Sequence, residues 1–156
     1  MALMSHAFET NATVEAPVID QQGDIQSIQP GFVFSWGLGN SGCLGHGDHA
    51  TVEEPRLIEA LTESREGQVF PMVLFVEAGG YHNAAISSSG RALVWGRGDV
   101  GQLGISKERL KEDQRGRLAL TPAAVDLPNQ RVVQLALGEV HSLVLAESTE
   151  AGQNRK

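Results

Sequence analysis

Apolar residues in this chain come in short runs, and turns of Gly, Ser, Asn and Pro separate most of them. Phe32-Val33-Phe34-Ser35-Trp36 is the first such run, and Pro55-Arg56-Leu57-Ile58 is a short piece whose proline suits an edge strand. Val73–Ala78 (VLFVEA) is apolar enough for a strand buried on both faces. His82–Ser87 and Arg91–Trp95 follow, divided by Ser88-Ser89-Gly90, and Ala123–Val125, Arg131–Leu137 and His141–Ala146 complete the set. The pattern predicts an all-β chain. One segment reads as helix: Ser106–Arg117 has a serine to cap it and charges spaced for local pairing. Residues 1–30 are polar, acidic and weakly patterned, so a flexible arm is expected there. Residues 31–147 carry the patterned domain, and 148–156 read as a disordered tail.

The pattern also repeats. Trp36-Gly37-Leu38-Gly39-Asn40-Ser41-Gly42-Cys43-Leu44-Gly45 returns as Trp95-Gly96-Arg97-Gly98-Asp99-Val100-Gly101-Gln102-Leu103-Gly104, 59 residues later. Gly79-Gly80-Tyr81-His82 returns as Gly138-Glu139-Val140-His141 at the same 59-residue spacing. Two landmarks with one offset define a supersecondary unit used more than once. Both copies match G-x-G-x-x-G, but a dinucleotide site needs those glycines to open a helix, and here a polar turn follows instead. The glycines are better explained by positive φ, which glycine adopts without steric cost. Trp36 to Pro55 spans 19 residues and Trp95 to Pro122 spans 27, while Pro55 to His82 and Pro122 to His141 span 27 and 19. Loops have changed length by eight residues around a constant scaffold.

Composition narrows the functional classes. The chain has 156 residues, 41% of them hydrophobic, enough for one domain with a core. Its net charge of −7, with no Lys or Arg before Arg56, argues against nucleic acid and anionic membrane as partners. Five of the twelve basic residues lie in Ser106–Arg117. A lone Cys43 excludes an internal disulfide, and no run is long enough to span a bilayer. Without a signal or transit pattern at the N-terminus, the expected location is cytoplasmic or nuclear. Cys43-x-x-His46-x-x-His49 has zinc-type ligands, but its second copy reads Gln102, Ile105 and Glu108, and one half-site falls short of four ligands. No Ser/His/Asp or Cys/His constellation can be assembled, so the chain is read as non-catalytic, with no cofactor and no metal. Trp36 and Trp95 are expected in the core with their indole N–H groups bonded. His82 and His141, paired across the repeat, are expected to be structural.

Trp-Gly-x-Gly-x-x-Gly-x-Leu-Gly, with Gly-Gly-x-His and the following Ser-x-Ser-Gly-x-x-x-x-Trp-Gly, resembles the repeat of the RCC1-like (regulator of chromosome condensation) β-propeller family. Gly39, Gly98 and Asp99 give it the style of the repeats in large HECT-type ubiquitin ligases. The resemblance implies a partial β-propeller of four-stranded antiparallel blades, in a family that typically sets seven in a ring. About two repeats are present: one whole blade from Val73–Ala78, His82–Ser87, Arg91–Gly96 and Ala123–Val125, between two half-blades. Structural positions of the repeat are Trp36, Gly37, Gly42, Gly45, His82, Trp95, Gly96, Gly101, Gly104 and His141.

Functionally, the resemblance implies a protein–protein interaction module, a scaffold or adaptor. The alternative it implies is nucleotide exchange on a small GTPase. Chromatin attachment by a basic tail does not fit the acidic leader. Tyr81 and Val140 stand where a light-sensing branch carries tryptophans. The expected contact residues are Arg97, Asp99, Lys107, Arg109 and Lys111, and the expected partner is a protein such as a small GTPase or a ubiquitin-ligase component. An incomplete ring also exposes strand edges, so self-association to complete a propeller is expected.

Overall fold

A computed structural model describes residues 29–150. Most of the expected acidic arm (1–28) and of the expected tail (151–156) lies outside the described residues. Among the described residues eleven strands are formed: β1 (Phe34–Gly37), β2 (Val52–Leu57), β3 (Thr62–Arg65), β4 (Gln68–Pro71), β5 (Val73–Ala78), β6 (His82–Ser87), β7 (Ala92–Arg97), β8 (Lys111–Asp113), β9 (Gly116–Ala124), β10 (Gln130–Leu137) and β11 (Ser142–Ser148). The central sheet runs β5-β6-β7-β9-β8, and β1-β2 and β10-β11 form separate two-stranded sheets. These are the expected whole blade and two half-blades. The outer strand β9 is longer than expected because it continues into a hairpin with β8.

The repeat holds down to backbone irregularities. The β1/β2 register shifts between Ser35 and Gly37, and the β7/β9 register shifts between Val94 and Gly96, its counterpart. The inner pairs shift likewise, between Val73 and Phe75 and between Val132 and Gln134. Gly37 and Gly96 sit at those bulges with φ of 103° and 99°, in the left-handed range that favours glycine. Gly42, Gly45, Gly101 and Gly104 are also at positive φ, and no helix starts from either glycine run.

Two apolar clusters lie on the two sides of the whole blade. Ile58, Leu61, Val73, Ala85, Leu93 and Trp95 fill the space toward the first half-blade. Ala84, Ile86, Ala92, Val94, Leu103 and Leu135 are among those filling the space toward the second. Alternate residues of β6 thus enter opposite clusters, which is why β6 and β7 lack polar alternation.

The Ser106–Arg117 helix is not formed. Lys107–Arg109 makes one 3-10 turn, and Lys111–Asp113 then pairs antiparallel with Gly116–Leu118. The segment has no apolar stripe for a helix to bury, since Leu110 is its only large apolar residue. Its polar tip suits a turn instead: Asp113 Oδ1 accepts the Arg115 N–H at 2.7 Å, and Gly116 has φ of 117°. The extra length in the other copy is also a hairpin, β3–β4, turning through Glu66 and Gly67 at φ of 50° and 79°. Two successive positive φ values are what a type I′ turn requires.

Candidate interaction surface

Strand alternation puts the β5–β6 turn, the β7–β9 loop, the β10–β11 turn and the β1–β2 loop at one end of the blades. Arg97 closes β7 there, and its guanidinium lies over the Tyr81 ring, 5.7 Å from the centroid. Arg97 Nε also donates to Asp99 Oδ2. Asp99 Oδ1 accepts the Arg117 N–H at 2.7 Å, and the Gly98 N–H donates to Arg117 O at 2.7 Å. The hydrogen bond from Arg97, followed by that from Arg117, holds the Asp99 carboxyl below the usual carboxylate range. Asp99 therefore clamps the root of the hairpin. A Cβ at Gly116 would overlap the Asp99 carboxylate, and the φ of 117° there also favours glycine.

The remaining expected contact residues differ in freedom. Lys107 and Lys111 are exposed, whereas Arg109 Nη1 donates to Ala124 O at 3.0 Å and lies back along the outer strand. At the hairpin tip, His49 Nε2 and Asp113 Oδ2 are 2.8 Å apart, joining the β1–β2 loop to the β8–β9 turn. The sequence carried no sign of this pair, whose members stand 64 residues apart in regions with no shared spacing. His46 Nε2 meets Ser35 Oγ at 3.0 Å and Cys43 Sγ points to Leu38 O at 3.4 Å. The Cys43, His46 and His49 side chains thus turn to separate partners, and no group of three or more ligand residues is gathered for a metal among the described residues.

The structural landmarks split unequally. Trp95 is 3% exposed and donates from Nε1 to Cys43 O at 2.8 Å, as expected of a core indole. Trp36 is 59% exposed, so its expected place in the core is corrected. Trp95 takes its carbonyl from the loop of the preceding repeat, and among the described residues no carbonyl takes that place for Trp36. His82 is fully buried, whereas His141 is exposed.

His82 Nε2 lies 2.8 Å from Ser142 Oγ, and that hydroxyl donates to Gln102 O at 2.7 Å. A hydroxyl has one proton, so Ser142 accepts from His82 Nε2–H and offers the ring no proton to remove. The pair ties β6 to β11 and does not form a nucleophile and base. Burial, then the charge of His141, push the His82 pKa down, while the His141 backbone opposes them. Asn83 Nδ2 donates to Cys43 O at 2.7 Å, and this is the Ser142–Gln102 bond shifted by one repeat.

Two cavities open at this end. One of about 330 Å³ is lined by Ser35, Trp36, Cys43, Gly80 and Asn83. The other, about 310 Å³, is lined by Gln102, Gly104, Val125, Ser142 and Val144. Among the described residues no helix is long and apolar enough to cross a membrane.

Residues 30–86 and 89–145 each match the Regulator of chromosome condensation (RCC1) repeat. E3 ubiquitin-protein ligase HERC2 of Homo sapiens is 36% identical over 123 residues, 79% of this chain and 2% of that protein. RCC1 domain-containing protein 1 of Homo sapiens is 43% identical over 83 residues, 53% of this chain and 20% of that protein. Protein RCC2 homolog of Danio rerio is 30% identical over 115 residues, 74% of this chain and 20% of that protein. The chain therefore spans a fifth or less of these relatives' lengths. Among solved structures, Prp20p from Saccharomyces cerevisiae, described with its binding properties to Gsp1p and histones, is 26% identical with a TM-score of 0.57. That match covers 75% of this chain and 25% of the other. Yeast RCC1 (Prp20) bound to Kap60 is 27% identical with a TM-score of 0.61, covering 94% of this chain and 34% of the other. Twin units with matching bulges, matching glycines and matching repeat boundaries make this chain a member of the RCC1 repeat family.

Proposed function

We propose that the chain is a non-catalytic interaction module that presents its loop end to a protein partner, in the cytoplasm or nucleus. The observation that carries this is the clamp of Tyr81, Arg97, Asp99 and Arg117, which fixes the root of the β8–β9 hairpin, with Lys111 exposed on it and Lys107 exposed in the 3-10 turn before it. Lys107 and Lys111 then form a preordered basic contact suited to an acidic surface of the partner. A scaffold or adaptor needs this and no reacting group. The ubiquitin-ligase relative makes a ligase component one suitable partner.

A second reading is nucleotide exchange on a small GTPase. It is favoured by the likeness to Prp20p together with the projecting hairpin, which would have to act as the wedge. Affinity capture with the wild-type chain, compared with the double variant Lys107→Glu, Lys111→Glu, tests both. The adaptor reading expects one stoichiometric partner, lost in the variant while circular dichroism is unchanged. Equal recovery by both proteins would refute the assigned surface. Accelerated GDP release from a captured GTPase would replace the adaptor reading with the exchange one.

A further inference from the structure

We propose that Thr51 is a phosphorylation site for a Ser/Thr kinase whose substrate groove is basic. Thr51-Val52-Glu53-Glu54 places carboxylates two and three residues after the hydroxyl. No other Ser or Thr of the chain has an acid at the third position. Charge at fixed offsets from the hydroxyl is one way kinases choose substrates, by attraction to the right segment and repulsion of the wrong one.

Access and conformation agree with the charge pattern. Thr51 leads into β2, which pairs with β1 on one side and with no strand on the other among the described residues. Ala50, Thr51, Glu53, Glu54, Pro55 and Arg56 are exposed, so an extended run lies open along the outer rim. Glu and Pro are poor strand formers, and this edge can leave its place on β1 more readily than a core strand could. The Thr51 hydroxyl has no hydrogen-bond partner among the described residues. Its neighbours are bonded without it. Asp48 Oδ1 accepts the Ala50 N–H at 3.0 Å, Asp48 Oδ2 lies 3.9 Å from Arg56 Nη1, and His49 meets Asp113. A phosphate on Thr51 therefore displaces no existing bond.

The repeat does not demand these residues. Val52 pairs with Gly37 as Ala119 pairs with Gly96, so Thr51, Glu53 and Glu54 correspond to Leu118, Leu120 and Thr121. Leu118 is 1% exposed and pairs with Lys111 of β8, while Leu120 is 9% exposed and its carbonyl accepts the Gly47 N–H. The second unit thus covers these positions and fills two of them with leucine. In the first unit the same positions are open and carry the hydroxyl and both acids. The pattern belongs to this rim and not to the fold, and it is independent of the reading of Lys107 and Lys111.

ATP is the phosphoryl donor. Thr51 Oγ1 attacks the γ-phosphorus, the Oγ1–P bond forms, and the bond to the bridging oxygen of the departing ADP breaks. The hydroxyl proton passes to the carboxylate base of the kinase. The product carries about −1.5 to −2 charge at pH 7, beside Asp48, Glu53 and Glu54.

The test incubates the folded full chain with ATP and casein kinase 2, an acid-directed enzyme, and maps phosphate by fragment mass spectrometry. The wild type should gain one phosphate, on Thr51. Thr51→Val should lose it and Thr51→Ser should keep it. Glu53→Gln combined with Glu54→Gln should slow modification about tenfold, because two charge contacts with the groove are removed. All the replaced side chains are exposed, so circular dichroism should be unchanged. A folded wild type without phosphate on Thr51 would overturn the proposal. So would modification that appears only after unfolding in urea, or a double glutamine variant that reacts at the wild-type rate.

Discussion

Trp95 of the whole blade donates its indole N–H to the backbone carbonyl of Cys43, in the loop of the preceding half-blade, at 2.8 Å. The same carbonyl holds Asn83, so one loop atom fixes the middle two strands of the next blade. Blades in this fold are therefore joined by polar contacts at their loop end as well as by the apolar clusters between them.

Replacing Trp95 by Phe should lower stability by about 1–3 kcal/mol, the range for losing a buried hydrogen-bonded group. The same change at the exposed Trp36 should stay within about 0.5 kcal/mol for dilute protein. Urea midpoints for the two variants measure the difference.

Asn83→Ala leaves Cys43 O with its bond from Trp95, so a loss of about 1 kcal/mol is expected. Ser142→Ala strips both Gln102 O and the buried His82 Nε2–H of their partner, and should lie nearer 3 kcal/mol. The order of the two urea midpoints is the check; a larger loss for Asn83→Ala would mean that the two bonds are not equivalent.

Gly39 and Gly101 separate two uses of glycine. A Cβ at Gly39 would overlap Ala50 O, whereas at Gly101 nothing lies within 4 Å but φ is 89°. Gly101→Ala should cost about 1–3 kcal/mol in backbone strain. Gly39→Ala forces the 38–51 loop to move and should lower the thermal midpoint further; equal shifts would contradict the close approach.

Buried His82 is neutral in the fold and its pKa is held below the 6.5 of the free side chain. Below about pH 6.5 the unfolded chain binds a proton that the folded chain refuses, so stability should fall as pH drops through that value. Above it the contribution is constant. His82→Gln should remove this part of the slope between pH 7 and pH 5.5, seen as a smaller shift in urea midpoint.

Much of this architecture was legible in the repeat. The bounds of β5 and β6 follow from the apolar run before Gly79 and the His82 landmark, and the paired glycines announced positive φ at Gly37 and Gly96. Both hairpins were hidden. Glu66 is an unusual residue for the first position of a type I′ turn, and the alternating charges of Lys107–Arg117 imitate helical pairing although no apolar stripe backs them. The Arg97–Asp99 site was visible as two charges in a loop, but its role as a clamp depends on Arg117, which only the hairpin brings near. Trp36 was misplaced because a sequence repeat shows which side chain goes into a socket and not whether that socket is built from the described residues.

The central claim is that the two tryptophans share one motif and differ in surroundings because each blade supplies contacts to the next. Acrylamide quenching of dilute wild type and Trp36→Phe measures this directly. The variant, carrying Trp95 alone, should resist quenching with blue-shifted emission, and the wild type should add one freely quenched, red-shifted component. Free quenching of Trp95 in the variant, or a wild type with both indoles shielded at dilution, would contradict the account.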